Sequence, residues 1–95
     1  MKLFISQPMA GRGEEDLIRE REWVIAQMRR RYGPDVEIID SLLRPDKDPV
    51  WLLGESIKLM SLADAVYFCR GWQRSRGCMV EYMIAGSYGI NVIMR

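Results

Sequence analysis

Apolar positions along the chain switch repeatedly between two spacings. Residues 2–6, KLFIS, are a short and nearly continuous apolar run closed by Gln7-Pro8, the pattern of a strand buried on both faces. Beyond the loop at residues 9–13, Leu17, Ile18, Val24, Ile25 and Met28 recur at helical spacing with Trp23 alongside. Glu14, Glu15 and Asp16 charge the first turn of that helix and Arg29, Arg30 and Arg31 its last, which suits the helix dipole at both ends, and Gly33-Pro34 stops it. Residues 36–39 read as a second strand, followed by Asp40-Ser41 and a polar loop with Pro45 and Pro49. A second helix is predicted over 50–62, with Leu52, Leu53, Ile57, Met60 and Ser61 on or near its buried face. Residues 65–68 form a third strand, a helix runs from about residue 77 to 88, and residues 89–93 close with a fourth strand.

Strict alternation of short apolar strands with helices predicts an α/β fold, because parallel neighbours need crossover connections. The expected architecture is a flavodoxin/Rossmann-like three-layer sandwich with a four-stranded parallel sheet, order 2-1-3-4, in one domain spanning 1–95. Ligands of such sheets bind beyond the carboxyl ends of the strands, where the strand order reverses. That edge would gather Ser6 to Arg12, Asp40-Ser41, and Cys69 to Glu81.

Composition narrows the function classes. Of 95 residues, 48% are hydrophobic and 28% charged, a globular balance with room for one core. Fourteen basic residues against thirteen acidic ones leave a net charge of +1, so no bulk field draws the chain to a nucleic-acid polymer or a membrane. Any anionic ligand has to be met by local arginines. The opening MKLFISQPM is too short an apolar run for a signal peptide, and a cytoplasmic location is expected. Cys69 and Cys78 have no metal-ligand spacing and there is no histidine, so no metal or other cofactor is expected and the cysteines read as reduced thiols near the core.

Without imidazole, acid, base and nucleophile roles fall to carboxylates, tyrosines, cysteines or a perturbed lysine. One carboxylate stands apart. Residues 77–94, GCMVEYMIAGSYGINVIM, contain a single charged residue, Glu81. Burying it among apolar neighbours disfavours its charged form unless a donor, cation or ligand compensates. The preceding loop, RGWQRSRG at 70–77, brings three arginines, a tryptophan and two glycines to the start of the same helix. Gly77 after Arg76, and Gly11-Arg12-Gly13 before the first helix, are turns whose backbone N–H groups and arginine forks suit phosphate. Either turn alone is also ordinary turn chemistry.

The segments FISQPMAGR at 4–12, WLLGESIKLMSLAD at 51–64 and GWQRSRGCMVEYMIAGSYG at 71–89 resemble the small DUF4406-type proteins, frequent in phages and bacteria. These look like compact members of the nucleoside 2-deoxyribosyltransferase and nucleotide N-glycosidase superfamily. The resemblance covers nearly the whole chain and implies that Glu81 is a nucleophile toward the anomeric carbon of a nucleoside or nucleotide. Ser75 holds the position, six before the nucleophile, that is serine in the phosphate-recognising hydrolases and aspartate in many transferases, which implies nucleotide substrates. It further implies homo-oligomers, dimers or larger, with a neighbour completing the site. Three positions depart from the pattern. Phe4 stands where relatives have a tyrosine that hydrogen-bonds the nucleophile, and Ser56, next to Glu55, stands where many have an aspartate. Asp64 reads as a capping or structural residue, and Asp40 could supply the missing carboxylate or simply open a turn.

Three readings follow. In the first, the chain is a 5′-monophosphate N-glycosidase or deoxyribosyltransferase. Glu81 is then the nucleophile, Asp40, Ser56 or Glu55 assist, and Ser6, Gln7, Pro8, Met9, Gly11, Arg12, Gly71, Trp72, Ser75, Arg76 and Gly77 line the substrate and phosphate sites. Trp72 or Tyr82 lies near the base or ribose, although an indole after a strand equally caps a core edge. In the second, the same cleft binds or sequesters a nucleotide or nucleotide-derived signal without turnover, the direction in which Phe4 and Ser56 point. In the third, Glu81 pairs with an arginine across a homodimer interface formed by Met79, Met83 and Ile84.

Overall fold

The computed structural model describes residues 1–41 and 47–94. The elements follow as β1 (Lys2–Ser6), α1 (Glu14–Tyr32), β2 (Glu37–Ile38), α2 (Pro49–Met60), β3 (Ala65–Phe68), α3 (Arg76–Ser87) and β4 (Asn91–Met94). A short 3-10 turn, Trp72–Arg74, stands between β3 and α3. All strand pairs are parallel and the order is β2-β1-β3-β4, the Rossmann-like arrangement that the alternation predicts. The loop expected around Pro45 lies outside the described residues.

The layers follow from the two-residue period of the strands. Leu3 and Ile5 of β1, with Ala65 and Tyr67 of β3, bury against Val24 and Met28 of α1. The alternate residues, Phe4, Val66 and Phe68, bury on the other face with Met60 of α2 and Ala85 of α3. Leu3 lies opposite Ala65 and Phe4 opposite Val66, so each face carries aligned rows of apolar side chains. Each large side chain buried this way stabilises the fold by roughly 1.5–3 kcal/mol. A one-residue slip of β1 would turn Ser6 into one core and leave the other short of Phe4.

Several local expectations shift. On α1 the buried stripe is Leu17, Val24 and Met28, and Ile18 and Trp23 are exposed, since neighbours on a helix point about 100° apart. Helix α2 begins one residue earlier, at Pro49, where a missing N–H costs nothing. Its Met60 is fully buried, whereas Ser61 lies past the helix end and is exposed. Strand β2 has only two residues, yet the Glu37 N–H donates to Met1 O and the Ile39 N–H to Leu3 O, extending its bonding to β1. Asp64 is structural: its Oδ2 accepts from the Lys2 N–H at 2.7 Å and its own N–H donates to Lys2 O at 2.8 Å. It therefore ties β1 to β3 at the amino end of the sheet. Among the described residues no helix is long and apolar enough to cross a membrane.

Candidate functional site

From β1 the chain crosses to β2 on one side, and from β3 to β4 on the other. The crevice of this sheet therefore opens beyond the carboxyl ends of β1 and β3, where Ser6 is paired with Phe68. The Cys69 N–H donates to Ser6 O at 3.0 Å and continues the ladder one residue further. The chain then turns at Gly71, whose φ of 87° is the left-handed conformation that favours glycine. Ser75 starts α3 as its N-cap, its Oγ accepting from the Cys78 N–H at 3.3 Å. Less than two turns later α3 delivers Glu81 to the crevice.

Glu81 is only 6% exposed. Its Oε1 accepts from the Ser6 hydroxyl at 2.6 Å. Burial raises the carboxyl above its ordinary pKa, and the Ser6 hydrogen bond opposes this without cancelling it. A cavity of about 60 Å³ lies against Glu81, walled by Phe4, Ile5, Ser6, Gln7, Met9, Arg21, Ser41 and Ser56. Arg21 of α1 donates to Ser41 Oγ at 3.2 Å within this wall.

On the opposite face the next residue of the chain, Gln7, donates from Nε2 to Leu17 O and to Glu20 Oε1, both at 2.8 Å. The same Glu20 oxygen accepts from Arg12 Nη1 at 2.8 Å, and Arg12 also donates to Pro8 O at 2.9 Å. Burial raises the Glu20 carboxyl, but the bonds from Arg12 and Gln7 and the charge of Arg12 outweigh it and leave the group below its ordinary value. Burial, with the nearby Glu20 carboxylate, pushes the Cys69 thiol up to about 12. Cys78 is likewise raised by burial, against the opposing hydroxyls of Ser6 and Ser75. Both cysteines are free and buried, and neither is a ready thiolate. A wider cleft of about 420 Å³ opens here, lined by Pro8, Ala10, Arg12, Glu20, Arg70, Gly71, Arg74 and Ser75.

The sequence-predicted residues thus divide. Glu81, Ser6, Gln7, Met9 and Ser56 meet around the small cavity, and Pro8, Arg12, Gly71 and Ser75 around the cleft. Gly11, with φ 74°, lies in the loop between β1 and α1, and Gly77 in the first turn of α3. Asp40 is exposed and lines neither space, while its neighbour Ser41 lines the cavity. Glu55 pairs with Lys58 at 3.1 Å on the outside of α2, so Ser56 is the residue of that pair facing Glu81's cavity. Arg76 is exposed at the start of α3 and lines neither space. Trp72 stacks on Tyr82 with ring centroids 4.4 Å apart, and both rings pack on Phe68, so the indole covers the core edge.

Glu20 and Arg21 at the site carry no sequence assignment, and Arg70 and Arg74 carry one only as members of the arginine loop at 70–77. The first two hide in the charged run REREW, which reads as a solvated helix face. The stripe itself held the signal. Positions 20 and 21 fall three and four residues after Leu17 and before Val24, so charges interrupt the buried face of α1. Among the described residues no group of three or more His, Cys, Asp or Glu gathers to hold a metal.

No curated protein and no solved structure matches the chain. A family model matches residues 1–94, and the chain belongs to that family, described as a domain of unknown function, DUF4406.

Proposed function

We propose that this protein cleaves the N-glycosidic bond of nucleoside 5′-monophosphates, with Glu81 as nucleophile. The observation that carries the reading is a carboxylate only 6% exposed at the sheet's switch point, with a cleft of about 420 Å³ lined by Arg12, Arg70 and Arg74 on the opposite face of the same sheet edge. That volume lies within the usual range for small-molecule sites. Arginine forks and the N-terminus of α3 at Ser75 suit the phosphate.

The chemistry follows from the carboxylate. An oxygen of ionised Glu81 attacks C1′, and the C1′–N bond breaks with its electron pair passing to the base nitrogen, which takes a proton from water. The oxocarbenium-like charge is stabilised by the carboxylate and trapped as a glycosyl ester. Water then attacks C1′, loses a proton and frees the sugar phosphate with Glu81 restored; a second base in place of water gives transfer. Ser56, from α2, offers one hydroxyl on the same cavity wall to orient that water. Because burial raises the Glu81 pKa and attack needs the ionised form, the rate climbs with pH through a limb displaced above the ordinary glutamate range.

A second reading has its own observation. At about 60 Å³ the space against Glu81 has room for water and not for a nucleoside, and among the described residues no second carboxylate lines it. A module that binds a nucleotide in the wider cleft without turnover fits that geometry as well. Incubation with deoxynucleoside and ribonucleoside monophosphates, followed by chromatography for free base, separates the two. We expect base release that Glu81→Ala abolishes and Glu55→Ala leaves in place. Saturable nucleotide binding with no base released would establish the binding module and sink the enzyme.

A further inference from the structure

We propose that Ser6 is the positioning residue of Glu81: its hydroxyl fixes one carboxylate oxygen and leaves the other for a ligand in the cavity. The role deepens the reading of Glu81 as the group that meets substrate, and it rests on that reading for its catalytic consequence alone. Its geometric basis is independent of turnover.

A glutamate side chain has several rotatable bonds, and at the crevice something must choose its rotamer. Among the described residues the Ser6 hydroxyl is the one donor to the carboxylate, at 2.6 Å. No buried side-chain nitrogen or oxygen among those residues lacks a partner, so the second carboxylate oxygen, which takes no donor, is the one open to the cavity. Ser6 is itself held in place by its surroundings. It is 1% exposed, it is paired with Phe68 in a central strand, and its carbonyl accepts from the Cys69 N–H. Alternation along β1 then removes the other candidates. Leu3, Ile5 and Gln7 face α1, and the remaining neighbour on the α3 face, Phe4, has no hydroxyl. One rigid strand position therefore sets where the carboxylate points.

A hydrogen bond donated to the ionised form also favours that form, so Ser6 limits how far burial can push Glu81 toward neutrality. A serine that merely filled space would leave the titration of Glu81 alone. The deciding measurement is a ¹³C-carboxyl NMR titration of the whole protein, with the Glu81 signal assigned by Glu81→Gln. We expect the Glu81 midpoint to rise in Ser6→Ala, to rise less in Ser6→Cys, whose thiol is a weaker donor of similar size, and to return toward wild type in Ser6→Thr. An unmoved or lowered midpoint in Ser6→Ala overturns the proposal, and if that variant does not fold, the same outcome in Ser6→Cys does so.

Kinetics add a separate arm. Where base release is seen, Ser6→Ala should lower kcat by about tenfold or more, as loss of a hydrogen bond to a charged group does, and move the acid limb of the pH profile upward. Ser6→Thr should recover both. A shifted NMR midpoint in a protein that releases no base supports the role of Ser6 and removes the catalytic function. Base release with an unmoved midpoint does the reverse.

Discussion

Glu81 and Glu20 reach the end of β1 from opposite layers and through consecutive residues, Ser6 donating to the first and Gln7 to the second. Their charges are treated differently. Glu20 has the Arg12 guanidinium at 2.8 Å and is held ionised, whereas Glu81 has a neutral hydroxyl and is pushed toward its protonated form by burial. A carboxyl whose pKa is higher folded than unfolded favours the folded state below the unfolded value. That contribution is lost as pH rises through the folded value, so ionised Glu81 is a liability at neutral pH. Glu81→Gln removes the titration and keeps an oxygen to accept from Ser6. Calorimetry should find the variant more stable than wild type at pH 7, on the order of 1 kcal/mol or about 4–8 °C in Tm, with the difference closing near pH 4. Equal stability of the two proteins at pH 7 would show that the buried charge is compensated. Glu81 was visible in the sequence because it stands alone in eighteen residues, while Glu20 was not, because three charged neighbours at 19, 21 and 22 disguise a partly buried group as surface.

Helix α3 carries the site, and its first residue was harder to read than its middle. The sequence pattern starts it near Gly77, but the structure caps it at Ser75, after a 3-10 turn that no apolar period announces. Within that turn Trp72 has the look of a ligand-stacking residue, yet its stacking partner is Tyr82 of the protein itself. Ser75 consequently has two duties, and substitutions can part them. Ser75→Ala removes the acceptor for the Cys78 N–H and should cost about 1 kcal/mol of stability. Ser75→Asp keeps a strong cap and favours the helix dipole, so its Tm should stay near wild type. In the arginine-lined cleft, though, the new carboxylate repels phosphate, and affinity for a nucleoside 5′-monophosphate measured by calorimetry should fall at least tenfold. If Ser75→Asp binds monophosphates as wild type does, Ser75 is a cap and nothing more.

At the scale of the whole molecule, the layer order was legible because strand and helix periods alternate without exception, and parallel strands then admit few topologies. What the periods leave open is which outer faces stay uncovered. The α2–α3 layer presents an apolar groove of about 600 Å³ lined by Ile57, Met60, Ser61, Ile84, Tyr88 and Ile90. Tyr88, 81% exposed on its rim, and Met83, 65% exposed nearby in sequence on α3, stand out from this layer. If copies of this chain pair, an exposed ring beside its own apolar groove suits an isologous arrangement, because each copy offers the other the same ring and the same groove. Glu81 itself points inward to Ser6, so the pairing would leave the crevice at the carboxyl edge in place. Self-association of this sort makes stability depend on protein concentration, since the partner binds the folded chain and not the unfolded one. Light scattering should therefore find a dimer at tens of micromolar, and Tm should rise with concentration. Tyr88→Arg, at an exposed position where the monomer loses little, should give a folded monomer whose Tm no longer moves; a wild-type chain monomeric across that range, with a constant Tm, would assign the groove to a different occupant.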